Sequence, residues 1–284
     1  MLKKNAIYFS CIAVIVCVVL FCNFLCHILT PTVKNGEIEV HFLDVDQGDC
    51  TLVRSEDKNM LIDAGLTTES DMVISYLESL GIEKLDIVVA SHPHNDHIGS
   101  MDDVLLRFDA GVIFMPDVSN ETIAYDDFIK SIGETDVLHP KGGDDFDFSD
   151  AKIKVIAPNL SEYKNLNNYS IGFILYHGDN SFLFMGDAEG KSQREIMKKD
   201  YDLDCDVYKV AHHGGKSSFV EKFIDRVSPE ISVISAGVFN EYSLPDDVVT
   251  DYLSKYGEIY RTDLDGTVVI TSDGKDLFVK SDRR

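Results

Sequence analysis

The stretch Ser91–Ser100 reads SHPHNDHIGS and places three histidines and one aspartate within six residues. These four residues are His92, His94, Asp96 and His97. The preceding apolar run, Leu85–Ala90, predicts a buried β-strand, and Pro93 predicts that a loop follows it. Side chains spaced in this way cannot share one face of a helix or strand, but on a loop they can converge in two sets. Imidazole nitrogens and carboxylate oxygens are donors for Zn²⁺ or another first-row divalent metal. The alternative is a polar turn, but three of the nine histidines fall here.

Three further apolar runs end in side chains of the same kind. Ser181–Asp187 (SFLFMGD) ends in an aspartate, Val207–Gly215 (VYKVAHHGG) in a histidine pair, and Asn59–Gly65 (NMLIDAG) contains Asp63. Open α/β architectures place their chemistry just beyond the carboxyl ends of strands. Each of these motifs is weak by itself, but together with the histidine cluster they indicate a metal centre.

With these motifs the chain resembles the metallo-β-lactamase superfamily. Within it, the chain is similar to the branch of the metallo-β-lactamase-like domain of the DNA-uptake competence protein ComEC. The resemblance covers roughly residues 37–278. The segments that carry it are Phe42–Cys50 (FLDVDQGDC), Leu61–Gly65 (LIDAG), His92–Gly99 (HPHNDHIG), Asn167–Ser170 (NNYS), Met185–Glu189 (MGDAE), Lys209–Gly214 (KVAHHG) and Tyr260–Val268 (YRTDLDGTV).

The resemblance implies an αββα sandwich, in agreement with the alternation of strands and helices along the chain. It also implies two metal sites. His92 and His94 would hold the first metal, Asp96 and His97 the second, and Asp187 would bridge them, since a carboxylate has two oxygens to share. The His-rich set favours one or two Zn²⁺ ions, whereas Mn²⁺ is possible where three or more oxygens coordinate.

One of His212 and His213 would complete the ligand set. His213 is slightly preferred, although strand alternation does not settle which of the two points inward. The other histidine, Lys216 or Ser217 would contact a substrate oxyanion. Asp63 would orient an imidazole N–H group, or else cap a strand end.

Two departures from the family pattern concern the site. Members with a full dinuclear set carry a further histidine near the position of Asn168. The resemblance implies that its absence would weaken the first metal site, with His177 as an alternative ligand. The branch usually has a histidine at the position of Leu244. Asp44 is a second candidate for orienting an imidazole, and Asp263 either faces the site or forms a turn.

The function expected from these residues is metal-dependent hydrolysis by a metal-bound hydroxide. Asp96, Asp187 and His212 are the candidate catalytic residues. A phosphodiesterase or nuclease-like activity on a small-molecule or phosphodiester substrate is the leading hypothesis. The alternatives are a lactone, ester or amide hydrolase and a degenerate metal-binding module that acts as a sensor or assembly partner.

The N-terminal residues 1–30 differ from the rest of the chain. Ile7–Leu29 is almost wholly apolar and follows Lys3 and Lys4, which predicts a single transmembrane anchor with the domain of residues 31–284 on the outer face of the cell membrane. The alternative is a signal peptide whose cleavage releases a secreted domain, but no small-residue cleavage site stands out.

The domain is strongly acidic. Residues 1–30 contain two lysines and no acidic residue, so the whole-chain formal charge of −23 corresponds to −25 for the domain. This balance disfavours nucleic acid as a general partner, because phosphate backbones are bound by basic surfaces. Cys50 and Cys205 are predicted to be buried free thiols.

Apolar runs and helical periodicity place a boundary between two strand-rich halves at Pro140–Asp150. The acidic, glycine-rich part of that stretch, Lys141–Asp150, is predicted to be a solvated loop. The strands are predicted over residues 37–44, 51–54, 60–62, 85–91, 112–115, 152–156, 171–176, 181–185, 207–211, 231–235, 267–271 and 277–279. The helices are predicted over residues 70–80, 102–107, 123–132, 189–199, 220–227 and 246–256.

Overall fold

The computed structural model describes residues 31–238, 240 and 242–283, which contain fifteen strands in two sheets. In chain order the strands are β1 (Ile38–Phe42), β2 (Thr51–Arg54), β3 (Asn59–Ile62), β4 (Lys84–Val89), β5 (Asp109–Phe114), β6 (Asp136–Leu138), β7 (Asp145–Phe148), β8 (Ala151–Ala157), β9 (Gly172–His177), β10 (Asn180–Phe184), β11 (Val207–Lys209), β12 (Ile231–Ile234), β13 (Glu258–Arg261), β14 (Val268–Ser272) and β15 (Leu277–Ser281).

Each sheet combines antiparallel and parallel pairing. The first sheet has the order β15-β14-β1-β2-β3-β4-β5-β6, and its strands β3 to β6 run parallel. The second has the order β13-β12-β11-β10-β9-β8-β7, with β10 to β13 parallel. The chain therefore divides between β6 and β7, as the sequence predicts, except that the C-terminal hairpin β14–β15 returns to the first sheet and pairs with β1.

Eight helices lie in the described part of the chain. They are α1 (Ser70–Ser79), α2 (Asn95–Ile98), α3 (Met101–Arg107), α4 (Ile123–Ser131), α5 (Gly190–Ile196), α6 (Glu221–Val227), α7 (Asp247–Leu253) and α8 (Thr262–Asp265). Short 3₁₀ turns occur at Thr67–Glu69, Leu166–Tyr169, Ala211–Gly214 and Lys216–Ser218.

The two sheets pack face to face through an apolar layer. Phe184 of β10 lies at its centre, with its ring centroid 6.2 Å from that of Phe42 in β1 and 5.0 Å from that of Phe173 in β9. All three rings are buried. Side chains alternate across a strand, so every second residue of these strands faces this layer and the others face outward.

Helices cover both outward faces and bury the other set of apolar side chains. Leu77 of α1 and Phe128 of α4 pack on the first sheet, and Phe223 of α6 and Leu253 of α7 pack on the second. The resulting αββα sandwich confirms the predicted fold class. It also explains why every residue of a central strand such as β10 is buried, since both faces of the strand are covered.

The sequence predictions missed three strands, and all lie at or next to exposed sheet edges. Strand β6 ends the first sheet, and β13 and β7 are the two edges of the second sheet. Edge strands bury few side chains, so their apolar pattern is weak. The predicted solvated loop at Lys141–Asp150 is therefore corrected, because Asp145–Phe148 pairs with β8.

The predicted membrane anchor falls within residues 1–30, outside the described residues. Among the residues described, no helix has the length and apolar character needed to cross a bilayer. Cys50 and Cys205 are both buried and unpaired, as predicted.

Candidate metal centre

The site is formed where parallel strands of both sheets end. In the first sheet, β3 leads into Asp63 and β4 leads into the histidine cluster of Ser91–Ser100. In the second sheet, β10 leads into Asp187 and β11 into the histidine pair. Because the carboxyl ends of parallel neighbours meet at one edge, the fold brings all four strand ends to one end of the sandwich.

The backbone turns sharply at Asp187 to aim its carboxylate at the histidines. Gly186 adopts φ 48°, and a Cβ there would lie 2.9 Å from the Oγ of Ser91, so the close approach requires glycine. The N–H of Asp187 donates to the Oγ of Ser170 at 3.0 Å. The carboxylate is thus held against the loop that carries His92–His97.

Two groups of potential metal donors share Asp187. The first contains His92, His94 and Asp187, and the second contains Asp96, His97, Asp187 and His213. Within each group one donor atom per residue lies within 4.8 Å of every other. The short helix α2 carries Asp96 and His97, whereas His92 and His94 precede it, and the ring centroids of His92 and His97 lie 4.2 Å apart.

Several buried donor atoms of these groups have no hydrogen-bond partner in the described structure. They are Nε2 of His97, Nε2 of His213 and Oδ1 of Asp187. The Nε2 atoms of His97 and His213 lie 3.2 and 3.8 Å from Oδ1 of Asp187. Buried polar atoms without partners are rare, and two imidazole nitrogens around a carboxylate oxygen are a donor set that a divalent metal satisfies. The residues present therefore fit a metal ion.

The ring of His97 is oriented by Asp63. Its Nδ1–H donates to Oδ2 of Asp63 at 2.8 Å, which leaves Nε2 facing Asp187. Asp63 adopts φ 58° and also accepts from the N–H and the Oγ of Ser91, each at 2.7 Å. Asp63 therefore combines both predicted roles: it orients an imidazole, as such carboxylates do at metal sites, and it ties together two strand ends.

His213 is oriented by a buried ion pair. Its Nδ1–H donates to the carbonyl of Ser235 at 3.1 Å, with Oδ1 of Asp49 at 3.3 Å, so Nε2 faces Asp96. Asp49 accepts two hydrogen bonds of 2.8 Å from Nζ of Lys209. Both side chains of this pair are about 95% buried, at 6% and 4% exposure.

Charges in the site perturb its pKa values strongly. Burial alone would raise the pKa of Asp187, but His97 and His213 outweigh it and hold that pKa well below its ordinary value. Burial would lower the pKa of His213, but Asp187, Asp49 and Asp96 raise it to about 10. The same balance raises the pKa of His97 well above its ordinary value. The carboxylates around His97 and His213 therefore stabilise positive charge at these two nitrogens, which favours a cation there.

A cavity of about 680 Å³ opens beside the cluster. His212 lines it, with Nδ1 2.9 Å from the Oγ of Ser217 and Nε2 3.6 Å from Oδ2 of Asp187. Among the cavity-lining residues Lys216 is the single lysine or arginine, and Leu244 and the exposed Tyr242 supply apolar surface. The cavity thus combines carboxylates, histidines, one lysine and an apolar rim.

A family model of the metallo-beta-lactamase superfamily matches residues 43–238, a span that contains the whole donor cluster. The chain belongs to the metallo-beta-lactamase superfamily. This match covers more than half of the chain and agrees with the two-sheet sandwich and its strand-end site.

Curated relatives place the chain near the competence proteins of the superfamily, as its motifs predict. It is 28% identical over 275 residues to ComE operon protein 3 of Bacillus subtilis (strain 168), covering 89% of this chain and 35% of that protein. It is 27% identical over 223 residues to Recombination protein 2 of Haemophilus influenzae, covering 77% and 26%. The chain spans about a third or less of the length of these two relatives.

Solved structures support the fold. The metallo-beta-lactamase fold protein YhfI from Bacillus subtilis superposes with a TM-score of 0.55 at 14% identity, covering 86% of this chain and all of that one. Tm1679, a metal-dependent hydrolase of the beta-lactamase superfamily, gives 0.54 at 17% identity and covers 79% and 95%.

Within this superfamily fold, Asn168 does not line the cavity. Its Oδ1 accepts from the N–H of Ser192 at 3.1 Å, and the neighbouring Asn167 lines the cavity instead. His177, the alternative ligand, lies at the β9–β10 hairpin and contacts the Oγ of Ser272 at 2.8 Å, outside the donor groups. Leu244 does line the cavity.

Two other predicted site residues have different partners. Asp44 accepts from Nη2 of Arg283 at 2.9 Å, and Asp63 and Asp49, not Asp44, contact the imidazoles. Asp263 lies in α8 and forms an ion pair with Arg261. Its contact is therefore within its own segment and not with the site.

Asp49 and Lys209 were not predicted as site residues, although both lie in segments that carry the family resemblance. Asp49 belongs to the DQGDC segment and Lys209 to KVAHHG. Nothing in the linear pattern pairs them, because 160 residues separate the two. A lysine at the end of a buried strand was the available signal, since lysine is almost never fully buried unless it is paired.

Replacing Lys209 with methionine tests the buried ion pair. Lys209→Met leaves the carboxylate of Asp49 buried without its lysine, which we expect to lower the free energy of unfolding by about 3–5 kcal/mol. The double variant Asp49→Asn/Lys209→Met removes both charges and should lose much less. Urea denaturation of the three proteins measures the difference. A loss below about 1 kcal/mol in the single variant would contradict the assignment.

Proposed function

We propose that this chain is a metal-dependent hydrolase that cleaves phosphodiesters. The observation that carries the proposal is the pair of donor groups that share the carboxylate of Asp187, with partnerless buried donor atoms turned toward it. His92 and His94 would hold one ion, and Asp96, His97 and His213 the other. When bound, divalent ions supply Lewis-acid polarisation of a phosphoryl oxygen and lower the pKa of water to about 7.

The remaining residues of the cavity have roles that follow from their contacts. As an imidazolium, His212 would donate from Nδ1–H to the Oγ of Ser217, 2.9 Å away, and would give the proton on Nε2 to the leaving oxygen, becoming a neutral imidazole. Lys216, the one lysine or arginine among the cavity-lining residues, attracts an anionic substrate into the cavity.

The negative charge of the domain limits the kinds of phosphodiester that it would bind. A net charge of −25 opposes binding along an extended nucleic-acid backbone, whose affinity depends on many cationic contacts. A small phosphodiester, or the end of a chain that enters the cavity, needs a single cationic contact and suits Lys216. Zn²⁺ fits the imidazole-rich donor set, and Mn²⁺ fits to the extent that oxygens contribute.

The ligand assignment is tested by metal analysis. His94→Ala and Asp96→Ala should each lower the metal content of the purified chain, because each removes a donor from a different group and water does not restore the affinity. His139→Ala, which removes an exposed histidine outside the groups, should leave it unchanged. Elemental analysis after dialysis gives the stoichiometry. Full metal content in both site variants would refute the assignment.

The reaction is tested best at Asp187. Asp187→Asn keeps the side-chain volume but removes the charge between the two groups. With bis-p-nitrophenyl phosphate we expect kcat to fall on the order of a hundredfold or more, equivalent to roughly 3 kcal/mol. Asp179→Asn, which neutralises an exposed aspartate at the β9–β10 turn, is the matched control.

The thermal stability of the metal-free proteins should be nearly equal. If the metal-loaded wild type turns over nitrocefin or a lactone but no phosphodiester, the substrate belongs to the carbonyl class. If it hydrolyses none of these, the chain is a metal-binding module and not a hydrolase.

We further propose that the domain is tethered at the outer face of the cell membrane, with residues 7–29 as the anchor. The basis is the apolar run with lysines on its N-terminal side alone, and the chain's similarity to competence proteins is consistent with a membrane association. Protease added to intact cells should degrade the domain. Protection that is lost only on lysis would reverse the orientation, and recovery of the domain from the medium would indicate cleavage.

A further inference from the structure

Asn167 has a buried amide oxygen without a partner at the wall of the cavity. Its Oδ1 makes no hydrogen bond in the described structure, and the residue is only 5% exposed. Three cavity-lining residues have such an atom, namely Asn167, Asp187 and His213. Asp187 and His213 belong to the donor groups. Asn167 therefore has the same feature as these two metal-donor candidates, a buried polar atom without a hydrogen-bond partner.

The neighbouring Glu189 fixes which end of the amide is free. Nδ2 of Asn167 donates to Oε1 of Glu189 at 3.4 Å. An ionised carboxylate accepts hydrogen bonds and donates none, so the NH₂ end must face Glu189 and the oxygen must face away from it. Asn168 differs, because its Nδ2 contacts Oε2 of Glu189 while its Oδ1 accepts from Ser192.

The segment that carries Asn167 is tied to both parts of the first donor group. The Oγ of Ser170 accepts from the N–H of Asp187 at 3.0 Å, and the N–H of Ile171 donates to the carbonyl of Ser91, which precedes His92. The turn Leu166–Tyr169 therefore sits beside the strand ends that supply His92 and Asp187.

Resting on the proposed function, we infer that Oδ1 of Asn167 is the fourth protein donor to the metal ion held by His92, His94 and Asp187. The second group already has four donors, two imidazoles and two carboxylates. With Asn167, the first group also has two nitrogens and two oxygens. A neutral amide oxygen in place of an imidazole shifts the metal preference of this first group from Zn²⁺ toward Mn²⁺, because carbonyl oxygens suit Mn²⁺ and imidazoles suit Zn²⁺.

The inference is tested by metal titration of the full chain, with a competing chelator and with Mn²⁺ and Zn²⁺ as separate probes. Asn167→Ala should weaken one of the two binding equivalents about tenfold or more and leave the other unchanged. Asn167→His should raise the ratio of Zn²⁺ to Mn²⁺ affinity at the same equivalent by about tenfold or more. With Co²⁺ as the probe, the visible absorption of both variants should shift.

Asn95→Ala is the matched control, because Asn95 lines the same cavity but its amide oxygen already accepts from the Oγ of Thr67 at 3.1 Å. It should change neither affinity. Melting curves of the metal-free proteins test whether Asn167→Ala disturbs the fold.

Unchanged affinities in Asn167→Ala, or equal weakening in Asn95→Ala, would overturn the inference while the proposed function stands. A wild-type chain that binds neither Mn²⁺ nor Zn²⁺ would overturn both.

Discussion

The ion pair between Asp49 and Lys209 is the contact on which the site depends most. It joins the loop before β2 in the first sheet to the end of β11 in the second, and both charges are buried. The N–H of Asp49 donates to the carbonyl of Asp96, and its carboxylate contacts Nδ1 of His213. A buried pair adds little net stability, but losing one partner is costly. The pair therefore fixes how the two halves of the donor set meet.

The carboxylates and two of the histidines in the cluster above this pair stabilise one another's charges. Asp187 and Asp96 raise the pKa values of His97 and His213, and the charges of these two histidines lower the pKa of Asp96 to about 2 against the effect of burial. Protons and a metal ion compete for the same nitrogens, so metal binding should release protons. Asp63 and Asp49 hold the two imidazoles in place, and a divalent cation would supply the positive charge that the protons otherwise provide.

The sequence predicted the fold class and the motifs of the donor groups because both depend on local patterns. Apolar runs locate the central strands, and the donors stand directly after them, as His92 does after β4. What it missed depends on contacts distant in the chain. Asp49 meets Lys209 only because the two sheets pack together. Whether Asn167 or Asn168 lines the cavity depends on the geometry of a 3₁₀ turn, which no sequence periodicity reveals. Edge strands were missed because their side chains are exposed.

Part of the cavity wall comes from the loop after β12, outside the strands that support the donors. Asn240 holds one wall by donating to the carbonyls of Gly237 and Leu244 and accepting from the N–H of Leu244. This loop presents Leu244 and Tyr242 to the cavity, and Leu244 stands where the family resemblance predicts a histidine. Leu244 offers no proton donor, so in the proposed reaction the acid would be His212, which follows β11. In that reaction the loop would shape the pocket, and the segment after β11 would deliver the proton.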